Sequence, residues 1–323
     1  MRCSVSFRAL IDFKWLCFEI ILIKVYCILN MNQLLSENLH ITQPNAVVVL
    51  IGMLEDSVLG YLATHLMASD VPVLWFDQRE LGSSLMCHPE GWRHKQFDWF
   101  IAHESIAAVY NRCLDLMQGP YEWAQRMALY YLDQRVTTVI NRPASGLSNY
   151  SKLKQLSQLS GTIFQRPMSQ LSVGVEPPLG DWIFKSASAI RSIVHLTQLI
   201  QPNHQGAEPV LYQRRIEGLQ VRVHVFQSKC YAMAIKSSSI DYRYDHTAHF
   251  KDYQLPTTVE LACCELTQRL GLMLSGIDLI YTSKEWFILE VNTAPGFDFF
   301  ERRSEDRALS DAICHYFKGC VVG

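Results

Sequence analysis

The stretch GIDLIYTSKEWFILEVNTAPGF, residues 276–297, decides how the second half of this chain is read. Two apolar runs on either side of a short polar segment are the pattern of a β-hairpin. With Thr282 opposite Trp286 across the three-residue loop Ser283-Lys284-Glu285, Asp278 faces Glu290. The two-residue period of a strand then puts Asp278, Glu290 and Asn292 on one face and Ile277, Leu279, Leu289 and Val291 on the other. Neighbours two apart on a strand are separated by ~6.5 Å and cross-strand neighbours by about 5 Å, which is the spacing of hard oxygen ligands around one or two Mg²⁺ ions. Three such groups on a buried face are costly without a cation or hydrogen-bond partners. Mg²⁺ takes one or two protein carboxylates and completes its shell with water and substrate phosphates, so a nucleotide is the natural completion. The spacing alone fits a half-exposed hairpin with solvated acids equally well.

Upstream strands supply cations. Lys185 ends the apolar run DWIFKS, Arg222 lies between valines in LQVRVHVF, and Arg243 follows the strand CYAMAIKS in SSSIDYRYD. Each alone reads as a surface side chain more readily than as a ligand, but several arriving on strands beside an acidic hairpin suit phosphate groups.

The rest of the composition is that of a globular protein. In 323 residues, 49% are hydrophobic and 19% charged, enough for a core and for more than one domain. The net charge of -2, without a run of five like charges, gives no footprint for nucleic acid. Ten cysteines at irregular positions read as reduced thiols of a cytoplasmic protein. The apolar segment at 11–29 contains Lys14, Glu19 and Lys24, which argues against a stable membrane span, and no small-residue cleavage site follows it. Residues 1–45 are read as an N-terminal extension, with Met31 as an alternative start.

From Ala46 the chain reads as a βαβ unit: the strand AVVVLIG (46–52), a helix carrying Val58, Leu59, Leu62 and Leu66, and the strand VPVLWFD (71–77). Its loop GMLEDS has one glycine where a dinucleotide fingerprint has three. SIAAVYNR (105–112) and RVTTVINR (135–142) are two further β-rich runs around a helical stretch, and Asn111, Arg112, Asn141 and Arg142 at their ends either line a cleft or form turns. A loop-like stretch at 143–151 marks a domain boundary. Beyond it come a helix closed by Gly161, the strand DWIFKS, a helix from Ser192 to Ile200, then β-rich sequence interrupted by the helix VELACCELTQRLGL and ended by a C-terminal helix.

These residues resemble the ATP-grasp carboxylate-amine ligases, most of all the branch of ribosomal-protein glutamate ligases and of maturases that crosslink ribosomally made peptides. GIDLI and ILEVNTAPGF look like the family's metal motif, PVLYQRRIEGLQVRVHVF like its adenine-gripping strands and hinge, and SKLKQLSQLSG and WIFKSASAIRSIV like the segments that supply its two ATP-binding lysines. The resemblance runs from about residue 46 to the end and is strongest after 146. It implies an α/β (α+β) chain with a Rossmann-like pre-ATP-grasp domain at 46–145 and a two-part ATP-grasp fold, with a central subdomain at 146–206 and a C-terminal one at 207–323.

Carried over by residue, the resemblance implies Lys152 and Lys185 on the ATP phosphates, and Gln213 with the backbone near Arg215 and Ile216 at the adenine edge. Arg222 falls by the γ-phosphate and Arg243 by the acyl phosphate or acceptor; Asp278, Glu290 and Asn292 hold Mg²⁺, with Mn²⁺ as an alternative. Two positions depart from the family pattern. The loop after Lys185 lacks glycines, so Ser188, Arg191 and Ser192 stand in as side-chain donors, and Gln220 replaces the acid that relatives often place at the ribose. The implied reaction joins an amino-acid or peptide carboxylate to an amine or hydroxyl, as an amide or ester, through an acyl phosphate, with a precursor peptide among the candidate partners. The branch often forms dimers or tetramers, so a homo-oligomer is one expectation. A non-catalytic ATP-binding scaffold or sensor, and a phosphotransferase, are the competing readings.

Overall fold

The computed structural model describes residues 40–95, 99–113, 122–146, 151–173, 180–187, 194–196, 209–304 and 306–322. The 11–29 segment, Ser188, Arg191 and Ser192 lie outside the described residues. The chain divides into two compact units, one formed by the residues up to Val139 with the chain end from Cys314, the other by Ile140–Ile313.

In the first unit, strand β1 (His40–Ile41) is followed by β2 (Val47–Gly52), helix α1 (Ser57–Ala68) and β3 (Val73–Asp77). The strands β2 and β3 pair in parallel, as the βαβ reading requires. Val47, Val48, Val49, Leu50 and Ile51 are all buried, which a parallel strand covered on both faces demands. Asp56 caps α1 by accepting from the amides of Val58 and Leu59. Three short strands, β4 (Leu85–His88), β5 (Gly91–His94) and β6 (Trp99–Ala102), then join β1 in a second sheet of order β1-β6-β5-β4. β7 (Ile106–Asn111), parallel to β2, α2 (Glu122–Arg135) and β8 (Thr138–Ile140) complete the first sheet in the order β3-β2-β7-β8. The run at 135–142 is thus strand only at its centre, because Arg135 still belongs to the preceding helix. Phe76 stacks on Trp99 and packs tilted against Trp92 where the two sheets share a core.

The second unit begins with the short helix α3 (Pro143–Gly146) and α4 (Lys152–Gln158), followed by β9 (Ser169–Val173), β10 (Trp182–Ser186), β11 (His195–Leu196) and β12 (Pro209–Arg214). These strands form an antiparallel sheet of order β11-β10-β12-β9. The helix expected from Ser192 to Ile200 is corrected here, because His195 and Leu196 pair with Phe184 and Ile183 as a strand. Next come β13 (Leu219–Phe226), β14 (Lys229–Lys236), β15 (His249–Asp252), α5 (Thr257–Arg269), β16 (Leu274–Tyr281), β17 (Trp286–Asn292), α6 (Asp298–Glu301) and α7 (Ala308–Val322).

Strands β13–β17 make one antiparallel sheet in the order β15-β14-β13-β16-β17. Alternation sorts its faces. Val221, Val223, Val225, Ile277, Leu279 and Val291 pack with Val259, Cys263 and Leu266 of α5, while Arg222, Asp278 and Glu290 fall on the opposite face. The register confirms Asp278 opposite Glu290 but corrects the turn end of the hairpin, where Tyr281 rather than Thr282 pairs with Trp286. A bulge next to Asp278 and Leu279 absorbs the extra residue, so Ile288, not Leu289, enters the core.

Candidate active site

The site is a row of charges laid across three strands. Arg222 on β13 is the register partner of Asp278 on β16, which is in turn the partner of Glu290 on β17. Arg222 Nη1 donates to both oxygens of Asp278, at 2.9 and 2.8 Å. Asn292 Nδ2 reaches Asp278 Oδ2 at 3.3 Å and the carbonyl of Gly276 at 3.4 Å. Gly276 leaves the room this needs: a Cβ there would stand 2.2 Å from Arg222 Nη2 and 2.7 Å from Pro295 Cβ.

Two lysines converge on Glu290 from separate elements. Lys152, the first residue of α4, approaches Glu290 Oε2 at 2.9 Å, and Lys185 of β10 approaches the same oxygen at 3.3 Å. The segment carrying Lys152 is fixed locally. Ser151 caps the helix through the Lys154 amide, the Lys152 amide donates to Ala187 beyond β10, and Gln155 Nε2 donates to the Val291 carbonyl on β17. Asn141 clamps the other ends of the hairpin strands. Its Nδ2 donates to the carbonyls of Leu274 and Thr293, and its Oδ1 accepts from the amides of Met273 and Leu274.

The electrostatics separate the two acids. Burial would raise the pKa of Glu290, but Lys185 and Lys152 outweigh it and hold the carboxyl well below the usual range. Asp278 goes the other way: burial, with the charge of Glu290 adding to it, pushes its carboxyl up against the opposing pull of Arg222. Burial disfavours the Arg222 cation, yet Asp278 holds it firmly charged. His224, buried beside Arg222, titrates well below an ordinary histidine, first because of burial and then because of the guanidinium. As a neutral ring it accepts from Arg222 Nε at 3.3 Å through Nε2. That makes it a structural partner of Arg222.

Of the sequence-predicted residues, Lys152, Lys185, Arg222, Asp278, Glu290 and Asn292 are gathered here. Arg243 sits in the 3₁₀ turn Tyr242–Tyr244, donating through Nε to Asp241 at 2.7 Å; the charge of Glu290 also helps to keep it protonated. Gln213 is buried on β12, where its Nε2 donates to Ser169 Oγ at 3.3 Å and its Oε1 has no partner among the described residues. Arg215 lies exposed beside Asp181 and Glu217, followed by Ile216 at the bend before β13. Gln220 pairs across β13 with Ile235 and Ile280. Among the strand-end candidates, Arg112 is committed to Asp56 at 2.9 Å.

Two aromatic residues escaped the sequence reading. Phe300 of α6 lies under the guanidinium of Arg222, 5.5 Å from its centre, and against the His224 ring at 5.2 Å. Tyr242 packs edge-on against Phe300 at 6.2 Å, and burial followed by the charge of Asp278 holds its hydroxyl protonated above its usual range. Neither sits in a periodic run, so alternation carries no signal for them.

The donor set suits Mg²⁺ better than a transition metal: two carboxylates and one amide, all oxygen ligands. Among the described residues no group of three or more His, Cys, Asp or Glu is placed to hold a metal. The orphaned Gln213 Oε1 suits an amino donor such as that of adenine.

No protein-family model matches the sequence, and no curated protein matches it. Solved structures do. The fold is similar to that of the ATP-grasp ligase PsnB complexed with minimal precursor, Mg and ADP, with a TM-score of 0.68 and 20% identity over 87% of this chain and 99% of that one. Macrocyclase MdnC from Microcystis aeruginosa MRC, bound with precursor peptide MdnA, gives 0.63 and 17% over 84% and 100%. D-alanine–D-alanine ligase from Bacillus anthracis gives 0.56 and 13% over 86% and 96%. The chain has the ATP-grasp fold.

Proposed function

We propose that this protein is an ATP- and Mg²⁺-dependent ligase that activates a carboxylate of an amino acid or peptide and joins it to an amine or hydroxyl. The observation that carries the reading is the convergence of Lys152 and Lys185 on Glu290, beside the Arg222–Asp278 pair. Two ammonium groups against one carboxylate leave a surplus positive charge, which suits a polyphosphate. Asp278, Glu290 and Asn292 would hold the cation, which would neutralise phosphate charge; Lys152 and Lys185 would hold phosphate oxygens, and Gln213 the adenine edge. Asn141 and Gln155 keep the hairpin and α4 in place for this, and Phe300 with His224 aims Arg222.

In the proposed reaction a carboxylate oxygen attacks the γ-phosphorus of ATP and ADP leaves. The acceptor then attacks the acyl carbon and phosphate leaves, so each turnover yields one amide or ester, one ADP and one phosphate. Positioning and charge neutralisation carry such chemistry, and the site offers cations for it rather than a nucleophile. Arg243, kept charged chiefly by Asp241 and in part by Glu290, would neutralise the acyl phosphate. The precursor peptides bound by PsnB and MdnC support a peptide as donor or acceptor here. The test is to supply candidate peptides with ¹⁸O-labelled carboxylates together with ATP and Mg²⁺. Label appearing in the released phosphate, alongside an amide or ester product, is expected; a stable phosphate ester, or phosphate without label, would overturn the reading.

A further inference from the structure

The register of the large sheet extends the charged row beyond Arg222. Met233 on β14 is the cross-strand partner of Arg222, so its side chain stands on the same face as Arg222, Asp278 and Glu290. Phe300 packs with Met233 and Ile235 at that end, and Tyr242 and Phe250 pack against them. The rings of Phe300 and Phe250 each lie 6.2 Å from that of Tyr242, edge to face, so two neighbours fix its orientation. The turn beneath it is fixed as well, because Asp241 accepts from the Arg243 amide at 3.2 Å. The hydroxyl is the one part of the side chain that this packing does not use. Among the described residues it makes no hydrogen bond, although a tyrosine with a packed ring normally finds a partner for its oxygen. Burial, and then the charge of Asp278, keep the group protonated, which makes it a donor rather than a base.

Given the ligase reading above, on which this rests, we propose that Tyr242 is a catalytic residue whose hydroxyl donates a hydrogen bond to the carbonyl oxygen of the acyl phosphate. Tyr242 precedes Arg243 in the chain and shares Phe300 with Arg222, the two cations assigned to the acyl phosphate and the γ-phosphate. It therefore belongs to the end of the row where the acyl group forms. The phosphate oxygens there carry full charge and are matched by lysines and arginines. The carbonyl oxygen is uncharged until the acceptor adds, and a neutral donor suits it. As the acceptor nitrogen or oxygen bonds to the acyl carbon, the carbonyl π pair moves onto that oxygen and the hydrogen bond from Tyr242 strengthens with the charge. The pair then returns, the bond to phosphate breaks with its electrons on the leaving oxygen, and the acceptor's proton departs with the phosphate. Tyr242 keeps its own proton throughout.

The experiment is a ³¹P NMR titration of the whole chain, saturated with ADP and Mg²⁺, with two probes. Acetylphosphonate is a stable analogue of an acyl phosphate, and methylphosphonate lacks the carbonyl; both are used at a pH where they are dianions. The unaltered chain is expected to bind acetylphosphonate the more tightly. Tyr242→Phe keeps the ring and its packing, and should lose about tenfold on acetylphosphonate but less than about twofold on methylphosphonate, with the unfolding midpoint and the affinity for ADP with Mg²⁺ unchanged. Equal binding of acetylphosphonate by the two proteins, or binding by neither, would overturn the contact. An equal loss on both probes would overturn the assignment to the carbonyl oxygen. Failure of the unaltered chain to bind ADP with Mg²⁺ would instead overturn the ligase reading itself, which the other failures leave standing.

Discussion

Asp56 with Arg112 in the first unit and Glu290 with Lys152 and Lys185 in the second are both ion pairs at the ends of strands and helices, yet they are built differently. Asp56 is 6% exposed and Arg112 5%, one anion against one cation. Its Oδ1 caps α1 through the Val58 and Leu59 amides, while Oδ2 takes Arg112, so both oxygens serve the fold. Glu290 is 22% exposed and receives two ammonium groups on a single oxygen. Charges that balance and are sealed from water speak for stability; a surplus of cations around a carboxylate that still reaches solvent speaks for a site that attracts anions.

The sealed pair should show the largest effect on stability. Asp56→Ala removes a helix cap and the carboxylate that faces a buried guanidinium, and is expected to lower unfolding stability by about 3–5 kcal/mol in denaturant titration. Nucleotide affinity of the protein that remains folded should not change; a parallel loss of affinity would erase the contrast between the two pairs. Gly276→Ala should cost about 2 kcal/mol by the same measurement, because the methyl group displaces Arg222 or Pro295. Restored stability in Gly276→Ala with Arg222→Ala would identify the arginine as the clashing partner. Glu290→Gln should cost about 1–2 kcal/mol, less than Asp56→Ala, because the amide keeps an oxygen that accepts from Lys152 and Lys185, whose side chains are only 10% and 7% exposed.

A pH titration sharpens the contrast within the row itself. The folded-state pKa of Glu290 lies below its unfolded value, so its ion pairs contribute stability above the ordinary Glu range and lose it only as pH falls through that depressed pKa. Asp278 has the opposite sign. Its folded pKa lies above the unfolded one, so ionising it opposes folding above the ordinary Asp range, and that opposition is relieved as pH falls through the raised pKa. Carboxyl ¹³C NMR should show Asp278 taking up its proton at higher pH than Glu290; the reverse order would contradict the assigned lysine contacts.

Much of the hairpin was legible because its signal is alternation. Asp278, Glu290 and Asn292 interrupt apolar runs at a period of two, and the resulting face holds in the structure. The bulge was not legible, since Ile288 and Leu289 are both apolar and either could enter the core. Strands β4–β6 were missed because four-residue segments broken by Gly and His carry too few periods to register. Lys152 and Lys185 are brought to one oxygen by elements that are far apart in sequence, a convergence that local spacing cannot announce; its place at a strand end singled out Lys185, but only the family resemblance pointed to Lys152. Phe300 and Tyr242 reach Arg222 through a short helix and a 3₁₀ turn, where no period exists to read.

The central claim is that the row Arg222–Asp278–Glu290, with its two lysines, is a Mg²⁺-nucleotide site. Calorimetric titration with a non-hydrolysable ATP analogue, with and without Mg²⁺, tests it most directly on the unaltered chain and on Glu290→Gln with Asn292→Ala. The account predicts Mg²⁺-dependent binding that weakens by about a hundredfold or more in the folded variant. Equal binding by both proteins, or no binding by the unaltered chain under either condition, would contradict it.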